Sequence, residues 1–188
     1  YFYLIKAGTK TRTPIARIPV KNPAYIHSFG MTKNYLILVE PPFRVAPASF
    51  KFSSKPFIEN YQWNPNEGTC ITVIEKNTGH IVHQSTVEPF FMFHHINAFE
   101  KDKDIFIDVV AFDNDVIIHA LYLDKLDINF IPASRPQRFH IHLLTNKITQ
   151  TKIADCLLEL PRINYKQCNT NDYQYAYAAG GKKAGDFF

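Results

Sequence analysis

Several features that mark particular protein classes are scarce or missing in this sequence. The three cysteines, Cys70, Cys156 and Cys168, lie far apart and no CxxC pair occurs, which excludes a zinc ribbon or a dithiol redox motif. Widely separated cysteines, odd in number, favour free thiols in a reducing compartment, so we expect a cytoplasmic location. No apolar run approaches the roughly 18 residues of a membrane-spanning helix.

Glycine and net charge are also low. The 188 residues include only 7 glycines, and the formal net charge is +4 with the basic residues scattered. This pattern predicts no nucleic-acid partner. The first residues lack the layout of a signal peptide. Because the chain starts at Tyr1 and its only methionines are Met31 and Met92, we expect an internal section of a longer protein, with residues 1–188 forming a single partial domain.

Aromatic residues and proline are abundant instead. There are 16 Phe, 10 Tyr and 12 Pro, a composition typical of an all-β protein whose strands end at turns. Short apolar runs between turn residues predict strands at 15–20, 25–29, 35–40, 71–75, 80–84, 94–100, 105–112 and 138–145. The segment 76–79, KNTG, predicts a hairpin, and the apolar spacing of 115–126 predicts a short helix. This pattern suits sandwiches, barrels and propellers alike.

Histidine carries the chemical signal, although no HExxH motif is present and a zincin is therefore excluded. His140 and His142 lie two apart on a predicted strand and so share one side, which fits either a two-ligand metal site or a half-exposed strand face. His80 and His83 flank the predicted hairpin turn and are expected at the surface. His119 lies in the predicted helix and is expected to pack or cap.

His27 and His94 stand in apolar contexts, YIHSFG and FMFHHINAFE. A buried histidine needs a partner for each ring nitrogen, so the default interpretation is a satisfied core residue. Glu159, flanked by apolar residues in LLELPRINY, raises the alternative of a metal site, because metal-bound imidazoles usually donate their second N–H to a carboxylate. From these residues alone, both interpretations stay open.

Three motifs together resemble the carotenoid cleavage oxygenase family, which includes carotenoid and apocarotenoid dioxygenases, stilbene-cleaving enzymes and a retinoid isomerase. They are YIHSFGMTKNYLILVEPP (25–42), PFFMFHHINAFEKDKDIFIDVVAF (89–112), and the pair LELPRINYKQC (158–168) and YQYAYAAG (173–180). The resemblance implies part of a seven-bladed β-propeller with cap loops and a short helix. It also implies Fe²⁺ held by four histidines.

Residue by residue, the resemblance makes His27 and His94 iron ligands. Glu159 matches a glutamate that accepts a hydrogen bond from a ligand histidine. Phe93 and Phe112 match aromatic residues that bind the substrate, whereas His95 matches a variable position and is expected to point away. Only two of the four ligands fall within this chain, so we expect it to be inactive by itself.

The activity that the resemblance implies is oxidative cleavage of a C=C bond in a carotenoid or apocarotenoid by dioxygen. Retinoid isomerisation or stilbene-type cleavage on the same scaffold is the enzymatic alternative. A propeller remnant that binds a lipid or a protein is the non-catalytic one.

Access to a lipid-soluble substrate suggests peripheral contact with a membrane. The stretch 41–57, PPFRVAPASFKFSSKPF, places Phe43, Phe50 and Phe52 beside cationic residues, as interfacial segments do. An ordered cap loop with no membrane role is the alternative interpretation of the same stretch.

Overall fold

The computed structural model describes residues 1–126 and 131–181. Within these ranges the strands are β1 (Phe2–Ile5), β2 (Arg12–Ala16), β3 (Gly30–Met31), β4 (Tyr35–Glu40), β5 (Phe43–Arg44), β6 (Gln62–Trp63), β7 (Thr69–Glu75), β8 (Ile81–Val87), β9 (Phe91–Lys101), β10 (Asp104–Phe112), β11 (Ser134–His142), β12 (Lys147–Lys152), β13 (Glu159–Arg162) and β14 (Tyr177–Ala179). The helices are α1 (Ser49–Phe52), α2 (Val116–Ala120) and α3 (Tyr165–Cys168), with 3₁₀ turns at Phe57–Asn60, Pro65–Glu67 and Leu123–Lys125.

Two four-stranded antiparallel sheets form the body of the described chain. The first has the strand order β3-β4-β7-β8 and the second has the order β12-β11-β10-β9. Two-stranded sheets pair β1 with β2, β5 with β6, and β13 with β14. In each four-stranded sheet the strands follow one another in sequence, so the connections are short hairpins or excursions between neighbours.

The hairpin connections follow from their turn residues. The β7–β8 hairpin predicted at 76–79 is confirmed, and it ends at Gly79 with φ +72°. A Cβ added at Gly79 would lie 2.1 Å from the carbonyl oxygen of Ile15, so only glycine fits there. The β9–β10 and β11–β12 turns place Asp102 (φ 57°) and Asn146 (φ 54°) in the left-handed region, which Asp and Asn tolerate better than most residues.

The main core lies between the two four-stranded sheets. Alternate apolar residues of β4 and β7 pack against those of β9, β10 and β11, because each strand sends every second side chain to the same face. The largest fully buried side chains of this core include Ile37, Ile71, Val73, Ile105, Ile107, Phe139 and Ile141.

The outer faces of the sheets are covered as well. Ile96 and Val110 pack with Ile163 below β13 and β14, while Leu36 and Ile74 pack with Ala16 of β2. Both faces of the central strands are therefore buried, and β10 shows this as an almost unbroken run of buried residues. A third cluster of aromatic and aliphatic residues covers one end of the sheets, where the candidate site lies.

The predicted strand at 25–29 is wrong. This segment is irregular apart from a single bridge between Ala24 and Arg44, and regular pairing resumes only at β3. The Ser28 hydroxyl donates to the carbonyl oxygen of Phe93 across 2.7 Å, so a side chain takes the place of a strand ladder. The first predicted strand is also displaced, because β2 ends at Ala16 instead of running through 15–20.

The surface prediction for His83 is wrong. Its side chain is buried, with Nδ1 bonded to Asn146 and Nε2 lying 2.9 Å from the Ser85 hydroxyl. Both ring nitrogens of His83 thus have a hydrogen-bond partner, as a buried histidine requires. The helix predicted at 115–126 is present as α2 followed by the 3₁₀ turn, and His119 lies exposed on it.

The predicted membrane-facing role of Phe43 is also wrong. Phe43 is only 2% exposed and packs between Tyr25, Tyr61 and Phe91 in the aromatic end cluster. It begins a short strand, β5, whose backbone bonds to the chain at Tyr25 turn its side chain inward. In the part of the chain that the structure describes, no helix has the length and apolarity needed to cross a membrane.

Candidate metal centre

His27 reaches the end of the sheets through a segment that is fixed at both sides. The backbone N–H of Tyr25 donates to the carbonyl oxygen of Phe43 across 2.8 Å, and Ser28 is bonded to Phe93 of β9. Between these two attachments, the His27 ring lies 5.0 Å from the ring of His94, at an interplanar angle of 81°. The hydroxyl of Tyr25 lies 3.1 Å from Nδ1 of His27.

His94 is oriented by a carboxylate. It lies on β9, and its Nδ1–H donates to Oε2 of Glu159 across 2.7 Å. Glu159 begins β13, so the contact joins two strands that are 65 residues apart in sequence. Donation from Nδ1 fixes the tautomer and leaves the lone pair of Nε2 directed away from the carboxylate.

The Glu159 carboxylate is itself held by an unusual backbone. Leu160 has φ +54°, a left-handed conformation that costs a bulky residue about 1–2 kcal/mol. In this conformation the N–H of Leu160 donates to Oε2 of Glu159 across 2.7 Å. The pairing of β13 with β14 shifts register at the same place. The strained residue therefore turns the carboxylate toward His94.

His95 faces the opposite side of β9 from His94. Because the Ser28 hydroxyl donates its proton to Phe93, it accepts from Nδ1–H of His95, 3.0 Å away. A Cβ added at Gly30 would lie 3.0 Å from Cδ2 of His95, so the absence of a side chain there makes room for the ring. Burial, with a smaller effect of His94, lowers the pKa of His95 to about 3, and the ring is neutral.

The surroundings of His27 also favour its neutral form. Burial lowers the pKa of His27, His94 lowers it further, and Glu159 opposes the shift. Neutral imidazole is the form that binds a metal ion. Within the described residues, neither His27 nor His94 makes a hydrogen bond through Nε2. When each ring carries its proton on Nδ1, the lone pair on Nε2 is therefore free to bind a metal ion.

These residues fit an iron ion held by imidazoles. Two neighbouring imidazoles whose Nε2 atoms have no hydrogen bond among the described residues, one of them supported by a carboxylate, match the donor types of a histidine-bound transition metal. Oε1 of Glu159 is buried and has no hydrogen-bond partner among the described residues. An unpaired buried carboxylate oxygen is costly in an apolar surrounding, and positive charge nearby would lower that cost.

Phe93 and Phe112 lie together beside His27. The Phe93 ring packs edge to face against His27 at 5.2 Å and against Phe112 at 5.9 Å. Phe93 is half-buried and borders the two histidines directly. Phe112 is 3% exposed and packs behind Phe93 in the aromatic end cluster, so Phe93 is the nearer of the two to the imidazoles.

Sequence reasoning missed three residues of this site. Tyr25 bonds to His27, Ser28 attaches the segment after His27 to β9 through Phe93, and the N–H of Leu160 bonds to Glu159. A role for Ser28 is weakly indicated by its position, because it follows His27 directly and a hydroxyl in an apolar segment needs a hydrogen-bond partner. No sequence pattern indicates that Leu160 adopts a left-handed conformation.

The exposed aromatic residues lie in a separate segment around α1. Phe52 is 80% exposed and lies beside the ammonium of Lys51, whereas Phe50 is half-exposed and stacks on Phe57 at 5.1 Å. Of the three residues predicted to form a membrane patch, Phe50 and Phe52 are thus accessible and Phe43 is not.

Known proteins are similar to this chain over most of its length. The model of the family described as retinal pigment epithelial membrane protein (RPE65) matches residues 1–187. A carotenoid isomerooxygenase of Galleria mellonella is 32% identical over 170 residues, covering 84% of this chain and 33% of the relative. A mitochondrial carotenoid-cleaving dioxygenase of Macaca fascicularis is 36% identical over 149 residues, covering 72% of this chain and 27% of the relative.

Solved structures agree in fold. The crystal structure of cobalt-substituted Synechocystis apocarotenoid oxygenase (ACO) matches with a TM-score of 0.74 at 21% identity, covering 86% of this chain and 33% of that one. The chain thus spans about a third of the length of the proteins that it matches. The predicted all-β section of a propeller is confirmed, since the chain has the fold of about a third of that β-propeller.

The family model covers nearly the whole chain, and the sheets superpose on an oxygenase of known structure. The motifs that carry the resemblance are the same ones that bring His27, His94 and Glu159 together. The chain therefore belongs to the RPE65 family of carotenoid cleavage oxygenases.

Proposed function

We propose that the protein cleaves a C=C bond of a carotenoid or apocarotenoid with dioxygen, in a reaction that depends on Fe²⁺. The observation that carries the proposal is the proximity of the His27 and His94 rings, 5.0 Å apart, with Glu159 bonded to His94 and neither Nε2 atom hydrogen-bonded among the described residues. Relatives named as carotenoid dioxygenases support the substrate class, including human beta,beta-carotene 15,15'-dioxygenase at 29% identity over 202 residues.

In this proposal His27 and His94 would hold the iron through Nε2. When bound, the iron supplies the redox chemistry that lets dioxygen react with an alkene. Glu159 keeps the Nδ1 proton of His94 in place and raises the basicity of its Nε2, which strengthens the ligand without adding charge beside the ion. Tyr25 orients His27 through its hydroxyl group.

The aromatic side chains have a different part in the reaction. Phe93 packs edge to face against His27 and would offer an apolar surface to a conjugated hydrocarbon beside the iron ligands. Ring faces also stabilise positive charge that develops on an oxidised polyene. Phe112 supports Phe93 from behind and fixes its position.

Isomerisation on the same scaffold is the second candidate, because one relative is named as a carotenoid isomerooxygenase. Product analysis separates the two. Two carbonyl products with oxygen uptake indicate cleavage, whereas a changed double-bond geometry without oxygen uptake indicates isomerisation alone.

The decisive experiment measures iron content and product formation in the natural protein at full length. His27→Ala and His94→Ala are each expected to lose bound iron and activity together, because each removes a ligand. His80→Ala is the matched control, since His80 is exposed and remote from the pair, and it is expected to retain both.

His95→Ala tests the assignment of the ligand within the HisHis pair. It should keep its iron, because His95 points away from His27 and Glu159, while the cavity left beside Gly30 lowers stability. Loss of iron from His95→Ala with retention in His94→Ala would show that the wrong histidine has been assigned.

We further propose that Phe50 and Phe52 contact a membrane surface from a cytoplasmic location. Their exposure beside Lys51 supports an interfacial segment, and free Cys70, Cys156 and Cys168 support a reducing compartment. Phe50→Ser with Phe52→Ser should strongly reduce flotation with anionic liposomes, because burying each ring contributes about 1.5–3 kcal/mol.

Leu144→Ser is the control for that measurement, since Leu144 is 73% exposed on a turn outside this segment. It should float as the parent protein does. Equal flotation of the double variant and the parent would remove the support for a membrane-facing segment here.

A further inference from the structure

A second cluster of histidines and a carboxylate lies away from the proposed iron centre. We propose that Asp104, His140 and His142 bind a divalent transition metal ion of the Zn²⁺ class, independently of the iron. Asp104 pairs with Lys101 of β9, seven residues along that strand from His94. At the usual rise of a strand this is roughly 23 Å, so the two clusters share no ligand.

The strand register brings the three side chains together. Asp104 of β10 lies directly opposite His142 of β11, and His140 is two residues further along β11. Residues two apart on a strand point to the same face, so all three groups project from one side of the sheet. The opposite side holds Ile105 and Ile141 in the main core, which fixes the backbone beneath the cluster.

One carboxylate joins both imidazoles. Oδ2 of Asp104 accepts from Nε2–H of His140 across 2.7 Å, and Oδ1 lies 2.9 Å from Nδ1 of His142. The three potential ligand atoms all lie within 4.8 Å of one another. A tetrahedral ion with bonds of about 2.0–2.1 Å needs its ligand atoms about 3.3 Å apart, so small side-chain adjustments are enough.

Binding of the ion replaces the hydrogen bond between His140 and Asp104. The His140 imidazole changes tautomer, so that its proton moves from Nε2 to Nδ1 and the freed lone pair of Nε2 binds the ion. His142 binds through Nδ1 in the tautomer that carries the proton on Nε2, and one carboxylate oxygen of Asp104 completes the protein ligands. Two imidazoles and a carboxylate are ligands that Zn²⁺ accepts, with water completing the coordination. His142 is about half exposed, which leaves that side accessible to the ion and to water.

The cluster is rigid enough to act as a site. The His140 ring stacks on Phe106 at 4.5 Å with an interplanar angle of 11°, and Phe106 stacks in turn on Phe99. The Asp104 side chain is only 17% exposed. Lys101 and Lys147 are the strand neighbours of Asp104 and His142, and their charge weakens cation binding, although Lys101 lies 3.5 Å from Asp172.

The alternative is that the three residues form only a hydrogen-bonded brace between β10 and β11. Titration of Zn²⁺ into the iron-loaded, full-length natural protein separates the two possibilities. Zinc and iron are counted by elemental analysis after removal of free ions, and affinity is measured by calorimetry. Co²⁺ in place of Zn²⁺ gives visible absorption bands that report imidazole coordination.

The parent is expected to bind one Zn²⁺ per chain beyond its iron. His142→Gln and Asp104→Asn should weaken this binding about tenfold or more, because each removes a ligand while keeping a polar group of similar size. His119→Gln is the matched control, since His119 is an exposed histidine outside the cluster, and it should bind Zn²⁺ as the parent does. Circular dichroism and iron content in the same samples check that the variants are folded.

Two results would overturn the proposal. If the parent takes up no additional Zn²⁺ at about 0.1 mM free ion, a weak-binding limit, the cluster is a hydrogen-bonded brace. If His142→Gln and Asp104→Asn bind as tightly as the parent, the ion binds elsewhere. Because His27 and His94 are untouched in these variants, failure of this proposal leaves the iron content and its interpretation unchanged.

Discussion

The two histidine clusters use the same residue types in opposite arrangements. At the proposed iron centre the carboxylate of Glu159 lies behind one imidazole, and the two rings pack edge to face, with neither Nε2 atom hydrogen-bonded among the described residues. At the second cluster the carboxylate of Asp104 lies between the imidazoles, bonded to Nε2 of His140 and 2.9 Å from Nδ1 of His142. The position of the carboxylate therefore decides whether the histidines are already available as ligands or must first exchange a proton.

The clusters also differ in how the chain builds them. His27, His94 and Glu159 come from three segments that lie 67 and 65 residues apart, and a loop and a strained residue complete the geometry. Asp104, His140 and His142 come from two neighbouring strands, where one register sets all three positions. We therefore expect the cluster built by strand register to be less sensitive to substitutions around it than the cluster built from distant segments.

The largest loss of stability is expected at a third carboxylate, which lies between the two clusters and is bonded to residues distant in sequence. Asp108 is fully buried on β10 and accepts two bonds of 2.7 Å from Arg138 and one from the Tyr173 hydroxyl. Asp108→Ala leaves the half-buried Arg138 unpaired and should lower the free energy of unfolding by about 3–5 kcal/mol. Chemical denaturation of the variant measures this loss.

The same strands offer the control. Asp113 and Arg135 form an ion pair at 3.0 Å that is largely exposed, so Asp113→Ala should cost less than about 1 kcal/mol. Equal losses in the two variants would mean that burial does not distinguish these carboxylates.

A smaller effect is expected at the iron centre from Glu159→Gln. The amide keeps the size of the side chain but removes the negative charge that orients His94 and strengthens Nε2 as a ligand. Iron affinity or turnover should fall about 10- to 100-fold with the fold intact, as measured by iron competition with a chelator. Glu88→Gln, at an exposed position, should leave both unchanged, and an unchanged Glu159→Gln protein would assign Glu159 to local structure only.

The smallest effect is expected at Leu160. Leu160→Gly relieves the left-handed strain that turns Glu159, and this gain offsets the added freedom of the unfolded chain, so stability should change by less than about 1 kcal/mol. Leu144→Gly, on an exposed turn with no such strain, has no compensating gain and should lose more. Thermal unfolding compares the two, and a larger loss in Leu160→Gly would show that the left-handed backbone costs little here.

Much of the sheet structure could be predicted from the sequence. The apolar run 35–40 is β4, and the runs at 71–75 and 105–112 lie within β7 and β10. These strands are buried on the faces that their pattern indicates, and their turns carry Gly, Asp or Asn at the left-handed positions. The prediction was wrong at 25–29, because Ser28 bonds to a strand 65 residues away and no local pattern reports such a contact.

Burial of single residues was harder to predict. Phe43 and Phe52 stand in one apolar and cationic stretch, yet the first is 2% exposed and the second 80%. Their difference arises from β5 and α1, since the backbone of β5 is bonded to the chain at Tyr25 and α1 has no buried residue. His83 was likewise misassigned, because its partner Asn146 lies on a turn of the other sheet.

The sequence by itself determined the strands, the hairpin turns, the family and the residue types available to a metal ion. It also determined that His140 and His142 share a face, because strand alternation is a local property. Only the tertiary structure decided that Ser28 bonds to Phe93 in place of a strand ladder, that Gly30 leaves the space for the His95 ring, and that the left-handed Leu160 bonds to the carboxylate that holds His94. The reason is physical: alternation fixes direction within one strand, whereas contacts between distant segments depend on how whole sheets pack.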